Sequence, residues 1–104
     1  MSKLEDVVRV FVSRPLPPPD TDAWRDWKTA AGALGPQAAP ILLDVLRRGT
    51  PDEQYASVLA LRLVGYEAWA DGFGRRRSYR VRPIGSTEWT SIVPVYPPPS
   101  LTPS

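Results

Sequence analysis

The chain has 104 residues, with four Trp, thirteen Pro and neither Cys nor His. That length supplies one hydrophobic core and no second fold, while the missing Cys and His remove disulfides, thiolate metal sites, the commonest metal ligand and the most frequent general base. The net charge of +2 is uneven, since residues 72–104 carry Arg75, Arg76, Arg77, Arg80 and Arg82 against Glu88 alone, and the basic end is the C-terminal end.

Ser2 and Glu5 stand in capping-box spacing, and Leu4, Val7, Val8, Phe11 and Val12 recur at helical intervals, so the first helix is expected over residues 2–13. Val10 lies off this stripe, and the β-branched run from Val7 to Val12 also suits a strand. Arg14-Pro15-Leu16-Pro17-Pro18-Pro19 cannot continue a helix and reads as an extended polyproline spacer; its R-x-L-P-P-P order also resembles a ligand for SH3-type domains, the lesser reading. Asp20, Thr21 and Asp22 offer caps for a second helix carrying Trp24, Trp27, Ala31 and Leu34 on one face, stopped at Gly35 before Pro36.

The third helix presents Ile41, Leu42, Val45 and Leu46, ends on Arg47 and Arg48, and stops at Gly49. Thr50-Pro51-Asp52-Glu53 is a complete start signal for a fourth helix reaching Val64, with Gly65 as its stop. The two-residue connection predicts antiparallel neighbours packed as a hairpin. Ala56, Ala60, Leu61 and Val64 form one apolar stripe on the fourth helix, and Tyr55, Leu59 and Leu63 a second, which predicts packing on both sides of it.

Beyond Gly65 the period changes. Tyr79 and Val81 alternate with Arg80 and Arg82, Gly85-Ser86-Thr87 breaks the run, and Trp89 to Val93 resumes it, which predicts a β-hairpin. Asp71-Gly72 is a further turn signal, leaving residues 66–70 open between a third strand and a continuation of the fourth helix. From Pro94, with Pro97, Pro98, Pro99 and Pro103, the chain reads as an extended, mobile tail. The expected class is α+β, mainly α, as a single domain over residues 1–93 with the 14–19 spacer inside it and a proline-rich tail over 94–104.

The run Ala33-Leu34-Gly35-Pro36-Gln37-Ala38-Ala39-Pro40-Ile41-Leu42-Leu43-Asp44-Val45-Leu46, followed by Thr50-Pro51-Asp52-Glu53 and by Ala56 to Gly65, resembles a HEAT repeat. The likeness covers about residues 33–65: a Leu-Gly-Pro start, a helix with a second proline, a short turn, an acidic helix start and small residues where the second helix meets the first. A solenoid normally stacks about three repeats, and only one is recognisable here. The resemblance implies a protein-binding scaffold, with the Trp-bearing helix capping one side of the hairpin and the C-terminal strands the other.

Sequence signals for chemistry are weak. Asp20, Asp22 and Asp26, and the pair Asp52 and Glu53, sit at expected helix starts, where capping accounts for them. Gly72-Phe73-Gly74 before Arg75-Arg76-Arg77 lacks the helix-opening context and the Gly-Lys-Ser/Thr ending of a nucleotide loop. No enzyme, cofactor or metal is expected, and no stretch reaches the ~20 apolar residues of a membrane span. The start lacks a secretory pattern, so a cytoplasmic location is the default.

Core packing is the first expectation for Trp24, Trp27, Trp69 and Trp89. A surface formed by Tyr66, Trp69, Phe73, Arg76, Arg80, Arg82 and Trp89 is the candidate interaction site, because aromatic and Arg side chains anchor interfaces. Another protein is the expected partner. Nucleic acid is the alternative, in a winged-helix arrangement with a basic hairpin and Gln54, Ser57 and Arg62 as readers; Asp52 and Glu53 oppose it by charge. The Arg excess, eleven to two Lys with no Asn, fits GC-rich coding and weakens any reading of arginine as such.

Overall fold

A computed structural model describes residues 3–72 and 77–94. Four helices, α1 (Lys3–Ser13), α2 (Asp22–Ala33), α3 (Ala39–Arg48) and α4 (Pro51–Leu63), precede three strands, β1 (Tyr66–Asp71), β2 (Ser78–Pro83) and β3 (Thr90–Ile92). A short 3-10 turn, Pro36–Ala38, leads into α3. The class is α+β, mainly α, as the sequence periodicities require, and the strands form one antiparallel sheet in the order β1-β2-β3.

Tertiary burial decides α1 as a helix despite its β-branched run: Val8, Phe11 and Val12 are buried on one side, while Val7 and Val10 face outward. Arg9 ties α1 to α3, donating to Asp44 at 2.8 Å and to Glu5 at 2.9 Å. The bond to Asp44, then that to Glu5, raises the Arg9 pKa above its ordinary value. Leu16 in the extended spacer packs against the core, so the residue that an SH3-type ligand would offer is already used within the chain. Ser2, of the expected capping box, and most of the 94–104 tail lie outside the described residues; Pro94 itself is buried.

Helix boundaries follow the cap chemistry. Of the three candidate caps for α2 the structure uses Thr21, whose Oγ1 accepts from the Trp24 amide at 3.1 Å. At α4 the capping box closes both ways, Thr50 Oγ1 accepting from the Glu53 amide and Glu53 Oε1 from the Thr50 amide. Two residues, Gly49 and Thr50, join α3 to α4, and the two helices pack against one another. A Cβ on Gly49 would lie 2.8 Å from both Val45 Cγ1 and the Val45 carbonyl oxygen, so only glycine fits this tight exit. At the other end of α4, Gly65 takes a φ of 104° as the chain turns into β1.

The sheet lies against the hairpin, with β1 on α4 and β3 on α3, while α1 and α2 also touch α4. Residues 66–70, open in sequence, are strand. Their inward residue Ala68 joins Tyr79, Val81 and Ile92 against Leu42, Leu46 and Leu61, all buried in one core. A buried hydrogen bond pins the layers together: the Tyr79 hydroxyl donates to Gln54 Oε1 at 2.6 Å, and Gln54 Nε2 donates to the Gly49 carbonyl.

Helix α4 departs from expectation on one side. Ala56, Ala60, Leu61 and Val64 are buried, but Tyr55 is 55% and Leu63 39% exposed, and only Leu59 is half-covered. Here α2 covers part of the second stripe, and the end of α1 with the spacer flanks Tyr55 without burying it. A shallow apolar groove of about 180 Å³ remains, lined by Trp24, Trp27, Lys28, Leu59, Arg62 and Leu63.

Candidate functional site

Strand geometry sorts the sheet residues by parity. In register, Ala68 faces Val81 and Ala70 faces Tyr79, while Glu67 faces Arg82 and Trp69 faces Arg80. Of the first set, Ala68, Tyr79 and Val81 are buried, while Ala70 near the strand end is exposed. The second, with Ser91 opposite Arg80 on β3, forms the outer face, and Trp89 joins it just before β3.

This face is built from indoles under guanidinium groups. The Arg82 guanidinium carbon lies 4.2 Å from the Trp89 ring centroid and that of Arg80 5.2 Å, while Arg62 reaches from the last turn of α4 to 4.4 Å over Trp69. Arg62 is fixed there by donating its Nε–H to the Ala68 carbonyl at 2.9 Å. Each such stack is worth about 0.5–1 kcal/mol at an exposed site. That is enough to hold the rings flat without burying them.

Two of these arginines are neutralised across the strands. Arg82 donates one nitrogen to both Glu67 carboxylate oxygens at 3.2 Å, and Arg80 Nε pairs with Asp71 at 2.9 Å. Only Arg62 on this face is left without a carboxylate partner among the described residues. The carboxylates of the face are engaged, but neither outer indole N–H has a partner among the described residues, and Arg82 Nε is buried without one.

The sequence expectations divide here. Trp69, Arg80, Arg82 and Trp89 do come together. Tyr66 does not: its parity turns it inward, where it packs against the core. Phe73 and Arg76 lie outside the described residues. Core packing for the tryptophans holds fully for Trp27, stacked between Phe11 at 5.1 Å and Trp24 at 5.5 Å, and in part for Trp24, which packs against the core. Trp24 is half-buried, whereas Trp69 is 48% and Trp89 37% exposed, because arginine stacking takes the place of the core for the last two.

Glu67 and Asp71 are the residues that sequence reasoning missed. The signal was present, since Glu67, Trp69 and Asp71 recur at period two, but it is readable only once residues 66–70 are known to be strand. Among the winged-helix readers, Gln54 and Ser57 are buried, Gln54 bonded into the core as described, so of the three only Arg62 faces outward. Of the acid groups at helix starts, Glu53 closes the α4 capping box and Asp22 pairs with Arg25, and among the described residues no three His, Cys, Asp or Glu gather as a metal site. No described helix is long and apolar enough to cross a membrane.

Comparison with family models, with curated proteins and with solved structures finds no match to this chain.

Proposed function

We propose that this chain is a non-catalytic protein-interaction module, a HEAT-like helical hairpin whose three-stranded sheet offers its outer face to a partner protein. One observation carries the reading: Trp69 and Trp89 stand exposed under Arg62, Arg80 and Arg82 on a face where Arg80 and Arg82 are already paired with Asp71 and Glu67. Trp and Arg dominate the energetics of protein interfaces. Here both are held rigid before any partner arrives, which lowers the ordering cost of association. The apolar groove beside α2 shares Arg62 with this face, so the docking area extends from the sheet onto the helices.

The HEAT likeness supports the same reading through the two-residue turn, the closed capping box and the small buried residues Ala56 and Ala60 on the helix that meets α3. Against the nucleic-acid alternative stand Glu67 and Asp71, which place two carboxylates among the arginines that would have to meet phosphate.

The test compares the immobilised chain with its Trp69→Ala/Trp89→Ala variant in an extract of the native cell treated with nuclease. A protein retained by the parent is then purified and titrated against both. The reading expects the variant to lose about 2 kcal/mol or more, roughly thirty-fold in Kd. Binding of a labelled duplex at low salt by the purified chain, weakened by Arg80→Ala/Arg82→Ala, would replace it with the alternative.

A further inference from the structure

We infer that the groove between α2 and α4 takes up one apolar side chain from an acidic segment of the partner protein, whose flanking carboxylates meet Lys28 and Arg62. The inference rests on the reading of this surface as a protein-docking area and names the chemistry of the partner.

The walls follow from helical spacing. Trp24, Trp27 and Lys28 stand three and four residues apart on α2, and Leu59, Arg62 and Leu63 repeat that spacing on α4, so each helix lends one face to the groove. Trp27 is buried, Trp24 and Leu59 are half-covered, and Leu63 is exposed. The two helices come close where Gly32 passes Leu63: a Cβ on Gly32 would lie 3.7 Å from the Leu63 carbonyl oxygen. Volume then selects the occupant. Small-molecule sites enclose about 300–1,000 Å³. This groove offers about 180 Å³, room for a single aliphatic or aromatic side chain.

Charge sets the rest. Lys28 and Arg62 are exposed, neither has a carboxylate partner among the described residues, and no acid is among the residues that line the groove. The sheet face differs, because Asp71 and Glu67 already hold Arg80 and Arg82 there. Arg62 spends its Nε–H on the Ala68 carbonyl. Its two terminal nitrogens have no hydrogen-bond partner among the described residues, and they form the fork that suits a carboxylate. A phosphate backbone would satisfy the cations and leave the indole and leucine floor unused; a purely apolar peptide would do the reverse. An apolar anchor flanked by acids does both.

The test titrates the full chain, labelled with nitrogen-15, with the capped synthetic peptide Glu-Glu-Leu-Glu-Glu and follows the indole N–H signals of Trp24 and Trp27. Both are expected to shift in a saturable way. Replacing the peptide's leucine by alanine should weaken binding roughly ten-fold, and replacing its glutamates by glutamine should weaken it several-fold. Lys28→Glu, at an exposed position, should cost the acidic peptide roughly five-fold and favour Lys-Lys-Leu-Lys-Lys instead. Absence of a saturable shift, or equal binding of the acidic peptide and its alanine and glutamine forms, overturns the inference. So does a shift confined to Trp69 and Trp89, tighter occupation by dodecanoate than by the peptide, or a shift on concentrating the chain alone, which assigns the groove to a second copy. The partner itself separates this inference from the docking reading. Partner binding that is lost with Trp69→Ala/Trp89→Ala but indifferent to Lys28→Glu keeps that reading and overturns this one.

Discussion

Tyr79 and Trp69 occupy neighbouring positions in one sheet and have opposite fates. Tyr79 is buried between the helices, its hydroxyl spent on Gln54, whereas Trp69, one step along and on the adjacent strand, lies open under Arg62. The inner region is closed by apolar packing and by the hydrogen bonds of Tyr79 and Gln54. The outer region is held by guanidinium stacks and cross-strand ion pairs, each weak. Residue type does not separate the two regions, since both are aromatic; strand parity does. Stability should therefore reside in one face of the sheet and recognition in the other.

Truncating the core sets the scale. Leu61 is fully buried against both the helices and the sheet, so Leu61→Ala is expected to cost about 2–5 kcal/mol in chemical denaturation, a large share of a domain's total stability. Trp89→Ala should do the converse: lose about 2 kcal/mol of partner binding while denaturation moves by only about 1–2 kcal/mol, the worth of the Arg80 and Arg82 stacks. A Trp89→Ala chain that unfolds as readily as Leu61→Ala would erase the division. Tyr79→Phe sharpens it from the inner side. The ring stays and the Gln54 oxygen loses its donor, for an expected 1–2 kcal/mol by order of magnitude, with partner affinity unchanged.

The inner region was legible in the sequence because local and tertiary signals agree there. Thr50-Pro51-Asp52-Glu53 announces α4 and forms the capping box; Leu42, Val45 and Leu46 recur at helical spacing and are buried; Tyr79 and Val81 alternate with arginines and turn inward. The outer region was less legible, for a physical reason. Core burial is the ordinary destination of an indole, and nothing local distinguishes Trp27, which obeys it, from Trp69, which does not. The difference lies in Arg62, seven residues earlier and on a helix, which reaches Trp69 only after Gly65 has turned the chain into β1. Tyr66 was grouped with Trp69 for want of the strand register that separates them. The open stripe of Tyr55 and Leu63 escaped similarly, since an apolar stripe in sequence does not say whether the chain has enough helix left to cover it.

The smallest expected effect bears on why the outer face suits a protein rather than nucleic acid. Glu67 and Asp71 are partly exposed, and pairs of that kind contribute about 0.2–1 kcal/mol, so Glu67→Gln/Asp71→Asn should barely alter denaturation. It does, however, release Arg80 and Arg82 from their carboxylates and make the face two charges more positive. If those carboxylates are what keeps phosphate away, the variant gains weak, salt-sensitive binding to a labelled duplex that the parent lacks, while the indole stacks and the protein partner's affinity persist. A parent that already binds the duplex as tightly as the variant would show that the cross-strand pairs do not screen the arginines, and the distinction between a charge-paired recognition face and a basic one would collapse.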